Sequence, residues 1–124
     1  MVEHESRRRK RSTKAKEEQL SLVFHVLSDG TRRQIIELLR EAGELKVGDL
    51  AQAFSMSLNG VSKHLKVLEK AGLIERRIEG REHWIVVNWA TLQQPYEWLH
   101  FYQHFWGERL DALVDYVQAK GKKT

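Results

Sequence analysis

Residues 57–66 read SLNGVSKHLK, and Asn59-Gly60 within them is a strong signal for a two-residue hairpin turn. The residues that follow, VSKHLKVLEKAG, space their apolar side chains as a helix does. A hairpin needs alternation on both sides of its turn, and KHLKVLEK does not alternate. Read as a helix from Leu58, the segment puts Leu58, Val61, Leu65 and Leu68 on one face. Asn59, Ser62, Lys63, Lys66 and Lys70 gather mostly away from it. Ser57 stands where an N-cap belongs, and Gly72 where a helix stops. The helix reading prevails, although Gly60 weakens a helix by about 1 kcal/mol relative to Ala. Without a side chain, Gly60 is expected to let the helix end approach a phosphate closely.

Upstream, VGDLAQAFS turns Val47, Leu50, Ala51 and Phe54 to one side of a short helix, after an extended piece around Leu45. Before that, Ile35, Ile36, Leu38 and Leu39 mark a helix that Asp29 or Thr31 can cap and Gly43 closes. A first helix begins near Glu17, with Leu20, Val23, Phe24 and Leu27 at helical spacing. Downstream, LIERRIEGREHWIVV gives two extended runs around Glu79-Gly80, a hairpin. A longer helix follows from Ala90 to about Ala119, with Pro95 in its first turns or marking a late start. The expected fold is mainly α with a small β-hairpin, in the order α-α-α-α-β-β-α. Residues 17–119 form the domain, between a basic disordered arm at 1–16 and a flexible basic tail at 120–124.

Composition narrows the function. The absence of cysteine excludes disulfides, thiolate metal sites and cysteine nucleophiles. No apolar run approaches the ~20 residues of a membrane helix and no signal-peptide core follows the N-terminus, so a cytoplasmic protein is expected. Residues 7–16, RRRKRSTKAK, hold seven of the 21 basic residues and no acidic one. Residues 17–124 then carry 14 basic and 15 acidic side chains, so the body is close to neutral and the basicity belongs to the arm. No phosphate-binding glycine loop or clustered carboxylate–histidine set appears, and Ser62 and His64 sit on divergent sides of their helix, which argues against an enzyme.

Two short helices joined by a tight turn, then a hairpin with a basic tip, describe a winged helix-turn-helix. The second helix can enter the ~12 Å major groove and present its first turns to base edges. Asn59, Ser62 and Lys63 occupy those turns, with Ser57 at the cap, Lys66 further along and His64 between the faces. Arg81 at the hairpin tip, with Arg76 and Arg77 on the strand before it, can reach the DNA backbone. The same polar stripe is open to a blander reading, as an ordinary solvated helix face.

The runs LSDGTRRQIIELL, VGDLAQAFSMSLNGVSKHLKVLEKAGLIERR and EGREHWIVV resemble ArsR-type bacterial transcriptional repressors over about residues 18–117. The ending WLHFYQHFWGERLDALVDYV is similar to the metal-independent, SdpR-like branch. This resemblance implies a homodimer on a palindromic DNA operator, repressing its own or a neighbouring operon and dimerising through the first and last helices. Leu20 and Phe24, with the stripe Leu99, Tyr102, Trp106, Leu110, Leu113 and Val117, are the side chains expected there. Metal-sensing members carry cysteines in the helix matched by ELKVGDL; Lys46 and Gly48 stand at those positions. A second family site uses last-helix histidines and carboxylates, and Glu97, His100, His104 and Glu108 share a helical face here. His100 and His104 could chelate zinc or nickel, but the family's ligand spacing is not reproduced and a solvated face explains the residues equally well. No cofactor is expected. The alternatives are a metal-responsive repressor using those histidines and a winged-helix module that binds an acidic protein.

Overall fold

Asn59-Gly60 does not turn the chain back: helix α4 runs Leu58–Lys70. The computed structural model describes residues 2–121, and the side chains of residues 2–6 and His104 lie outside the described ones. Ser57 caps α4 from extended backbone, its Oγ accepting the Gly60 amide at 3.0 Å, which satisfies one otherwise orphaned donor. That cap changes the reading of Gly60. A Cβ there would stand 3.2 Å from Met56 Cε and 3.3 Å from Ser57 Oγ, so the bare backbone makes room for the cap and for Met56. At the other end Gly72, at φ +76°, donates to the Glu69 carbonyl at 2.9 Å, and Leu73 donates to that of Leu68 at 3.0 Å. This pair of bonds is a Schellman stop.

Around α4 the order is α1 (Val2–Leu27), α2 (Gly30–Ala42), β1 (Glu44–Lys46), α3 (Val47–Ala53), α4, β2 (Ile74–Glu79) and β3 (Glu82–Val87). A 3-10 turn (Trp89–Leu92) and α5 (Gln93–Gly121) follow. The chain forms two units, one ending at Leu92 and the other beginning at Gln93. Four details differ from expectation. The extended piece around Leu45 is a strand: β1 pairs antiparallel with β3, Leu45 opposite Ile85, giving a three-stranded sheet in the order β1-β3-β2. Residues 7–16 are helical and part of α1, where an irregular arm was expected; they contain no glycine or proline to break it. The last helix begins at Gln93, because the 3-10 turn takes up the residues before it. It extends through Gly121, so Lys120 and Gly121 are helical, and residues 122–124 of the expected tail lie outside the described ones.

The core of the first unit is built from the apolar faces just described. α2 contributes Ile35, Ile36 and Leu39, α3 Leu50 and Ala51, α4 Val61, Leu65 and Leu68, and the strands Ile74, Ile85 and Val87. From α1 the buried residues are Val23 and Val26, while Phe24 stays 38% exposed. Leu58 also differs from expectation: assigned by spacing to the core face, it is 60% exposed. The corner between α1 and α2 is polar. Asp29 caps α2 by accepting the Arg32 amide at 3.0 Å, and that hydrogen bond is the main reason its carboxyl is held below the usual range. Arg32 Nε and Arg33 Nη1 donate to the Val26 and Leu27 carbonyls, satisfying the open end of α1.

The turn between α3 and α4 stores a small strain. Ser55 donates to the Gln52 carbonyl at 3.2 Å and Met56 to that of Ala51 at 3.0 Å, the same stop that ends α4. The left-handed position is held by Ser55 at φ +51°, where an L residue is disfavoured and glycine is at ease. Ser55→Gly is therefore expected to stabilise the protein by about 0.5–1 kcal/mol, seen as a Tm raised by a few degrees. A lowered Tm would show that the Ser55 side chain contributes more than its backbone strain removes.

Candidate nucleic-acid interface

α3, its turn and α4 form the helix-turn-helix, and β2 with β3 forms the wing. The wing turns at Gly80-Arg81, with Glu79 opposite Glu82. Gly80 has φ +61° and Arg81 is not left-handed, the pattern of a type II′ turn. Arg81 is thus presented at an exposed tip. On α4, Asn59, Lys63 and Lys66 are exposed, and Ser62 and His64 are half-buried. A groove opens between the starts of α3 and α4 and the wing, lined by Gly48, Asp49, Leu58, Ser62, Arg76 and Arg81 among others. The fold therefore brings Ser62 of the helix and Arg81 of the wing to one concave surface, with Leu58 between polar neighbours.

Four expected DNA-facing residues have intramolecular partners. Arg76 meets Glu69 Oε1 through Nη2 at 2.5 Å and Nε at 3.1 Å, and its Nη1 lies 3.0 Å from His83 Nδ1. It ties α4 to both strands of the wing. Arg77 points to the opposite face of β2, as adjacent strand residues must. There it pairs with Glu44 at 3.1 Å and Glu79 at 3.0 Å. His64 Nδ1 lies 3.9 Å from Asp29 Oδ2, against the cap of α2. Ser57 spends its hydroxyl on the α4 cap but remains exposed.

Three contributors were missed. Lys46 bonds Glu82 Oε1 at 2.9 Å, an interaction that raises its amine above the ordinary value, and so links the start of α3 to the wing. Lys46 Nζ and Arg77 Cζ also lie over the Trp84 ring, 5.1 and 5.8 Å from its centre. Glu69, the partner of Arg76, had no signal in the sequence, because only the fold sets β2 against α4. Leu58 had one that was misread: its spacing matches the core face, yet it is 60% exposed and lines the groove.

In the second unit α5 carries its aromatic residues as neighbours at helical spacing. Tyr102 lies 4.9 Å from Trp98 and 5.9 Å from Trp106, between ring centres. Along the expected stripe Leu99, Trp106, Leu110, Leu113 and Val117 are all exposed, and Tyr102 is half-buried. Leu20, the partner expected from α1, is half-buried in its own unit. His100 stacks on Tyr96 and its Nδ1 lies 3.1 Å from Gln103 Oε1. The His104 side chain, the other metal candidate, lies outside the described ones; among the described residues no group of three or more His, Cys, Asp or Glu could hold a metal ion. No helix among them is long and apolar enough to cross a membrane.

Comparison with known proteins bears on this geometry. Residues 27–77 match a helix-turn-helix domain family. The chain is 35% identical over 77 residues to the transcriptional repressor SdpR of Bacillus subtilis (strain 168), covering 62% of this chain and 84% of that protein. Its structure is similar to an ArsR-like transcriptional regulator from Rhodococcus sp. RHA1, with TM-score 0.63 and 31% identity over 80% of this chain and 92% of that one. It is also similar to the homodimeric winged helix-turn-helix DNA-binding domain Mb0332 from Mycobacterium bovis. There the TM-score is 0.58 and the identity 30%, over 86% of this chain and 83% of that one.

Proposed function

Because the chain belongs to the ArsR family of winged helix-turn-helix transcriptional regulators, we propose that it is a cytoplasmic repressor that binds a two-fold DNA operator as a homodimer. The observation that carries this reading is the shared groove: Leu58 and Ser62 from the first turns of α4 and Arg81 of the wing tip line one surface, while the helix's other side is in the core. A 13-residue helix is about 20 Å long, and its first turns fit the major groove. Asn59 offers the donor and acceptor pair that suits adenine, and Ser62 and Lys63 stand one turn on. Lys66 and Arg81 meet phosphates, and the amide end of α4 adds a partial positive charge. Leu58 supplies an apolar contact that suits the methyl group of thymine.

Arg76 has a different role here from the one its charge suggested. Held by Glu69 and His83, it sets the angle of the wing to the reading helix. The dimer face is the exposed stripe of α5, a patch of aromatic and aliphatic side chains that a monomer would leave in water. That the Mycobacterium bovis neighbour is homodimeric supports a two-fold assembly.

The test is a gel-shift titration on the promoter of the protein's own gene against a scrambled duplex at about 0.15 M salt, where non-specific binding is weak. Selective binding is expected. Ser62→Ala with Lys63→Ala should remove most of the discrimination, each lost base contact being worth about 1–3 kcal/mol, with the thermal melt unchanged. Leu58→Ala should abolish the affinity lost when a contacted thymine is replaced by uracil. Equal affinity of the parent for both duplexes would refute sequence-specific repression.

A further inference from the structure

Neither the reading head nor the dimer face gives a role to the N-terminal half of α1. Residues 7–16 carry Arg7, Arg8, Arg9, Lys10, Arg11, Lys14 and Lys16 and no acidic residue, and all of them are helical and exposed. At 100° per residue these cations point to every side of the helix, which has no apolar stripe to bury against a core. Arg7 with Arg11, and Lys10 with Lys14, are like charges at i,i+4, a spacing that weakens an isolated helix.

The placement of these cations points to an anionic partner. Gln19 Nε2 donates to the Ala71 carbonyl at 3.1 Å, and Ala71 is the residue that closes α4. The cationic turns therefore leave from beside the C-terminal end of the reading helix, opposite its first turns. At 1.5 Å per residue, Lys16 to Arg7 lie roughly 5–18 Å along the axis beyond Gln19. Lys66 and Lys70, both exposed on the last two turns of α4, continue the positive surface toward that end. A helix lying on a membrane would need an apolar face, which this one lacks. Charge on all sides instead suits a polyanion with one phosphate per ~1.7 Å of axis.

We propose that residues 7–16 form a cationic helical arm that neutralises backbone phosphates of the duplex flanking the operator, beyond the base pairs read by α4. The inference rests on the DNA-binding reading above. The experiment uses the full chain with Arg7, Arg8, Arg9, Lys10 and Arg11 all replaced by Gln, a good helix former. Two duplexes are compared: the footprinted operator alone, and the same operator with about one helical turn of added DNA on each side. The parent should bind the flanked duplex at least tenfold more tightly than the bare operator. Its logarithmic salt dependence should be steeper by about 0.9 for each added phosphate contact. The variant should lose that gain while binding the bare operator as the parent does.

Parent and variant with equal affinity for the flanked duplex would overturn the arm. So would an equal loss on both duplexes, which would mean attraction without placement. Binding of the parent to vesicles rich in phosphatidylglycerol, lost in the variant while both bind DNA alike, would assign the cations to a membrane surface and also overturn it. Failure of the operator-specific reading shows separately, as a parent that does not distinguish the bare operator from a scrambled duplex.

Discussion

Replacing Leu110 and Leu113 by aspartate is expected to convert the protein to a monomer with its fold intact. Both side chains are more than half exposed, at 60% and 57%, so the substitutions remove no contact from the subunit core. In a dimer they would put four carboxylates into an apolar seam, where an unpaired charge is strongly disfavoured. Sedimentation should report the monomer mass, and circular dichroism an unchanged helix content. Operator affinity should fall by about 10²–10⁴-fold, the advantage that tethering confers on a second half-site. Affinity for an isolated half-site should stay as it was. A variant that remains dimeric would place the interface elsewhere, and a monomer with undiminished operator affinity would remove the need for a dimer.

The parts of the fold that were legible in the sequence are those whose signal is local. α4 followed from apolar spacing and a capping serine, and the wing from two extended runs around Glu79-Gly80. β1 was not assigned as a strand, because three half-buried residues are too short to show a period and pair with β3 some forty positions away. Leu58 shows the limit of periodicity. Spacing tells which residues share a face, but where the covering helices stop is a tertiary fact. Arg76 and Arg77 show another limit. Their charge was visible, yet adjacent strand residues face opposite ways, so both could not serve one DNA backbone. Their partners Glu69 and Glu44 come from separate elements that only the fold brings near.

The candidate site divides in the same manner. Exposure of Asn59, Lys63 and Lys66 follows from the helical period that buries Val61, Leu65 and Leu68. The groove that joins Leu58 and Ser62 to Arg81 does not, because it depends on the angle of the wing. That angle is set by contacts distributed over four elements. Arg76 reaches from β2 to Glu69 on α4 and His83 on β3, and Lys46 before α3 reaches Glu82 at the start of β3. Charge in this region holds helix and wing together, and in the proposed complex it also offers cations to DNA. Sequence alone does not sort one use from the other.

Leu65 and Lys66 are neighbours in the chain, and their substitution by alanine is expected to separate stability from binding. Leu65 is fully buried on the core side of α4. Truncating it leaves a cavity and should cost about 2–5 kcal/mol, a large share of the roughly 5–15 kcal/mol that holds such a domain together. In a thermal melt Tm should fall by ten degrees or more. DNA binding measured well below the new Tm should keep its selectivity and its salt dependence, since no contacting side chain has changed. Lys66 is exposed, and its truncation should leave stability within about 0.5 kcal/mol. Binding should weaken on operator and scrambled duplex alike, and the logarithmic salt slope should become shallower by about 0.9 for each subunit's lost phosphate. If Lys66→Ala changed selectivity and left the slope alone, Lys66 would be reading bases. The boundary between the reading stripe and the phosphate stripe on α4 would then lie at least one turn further along the helix.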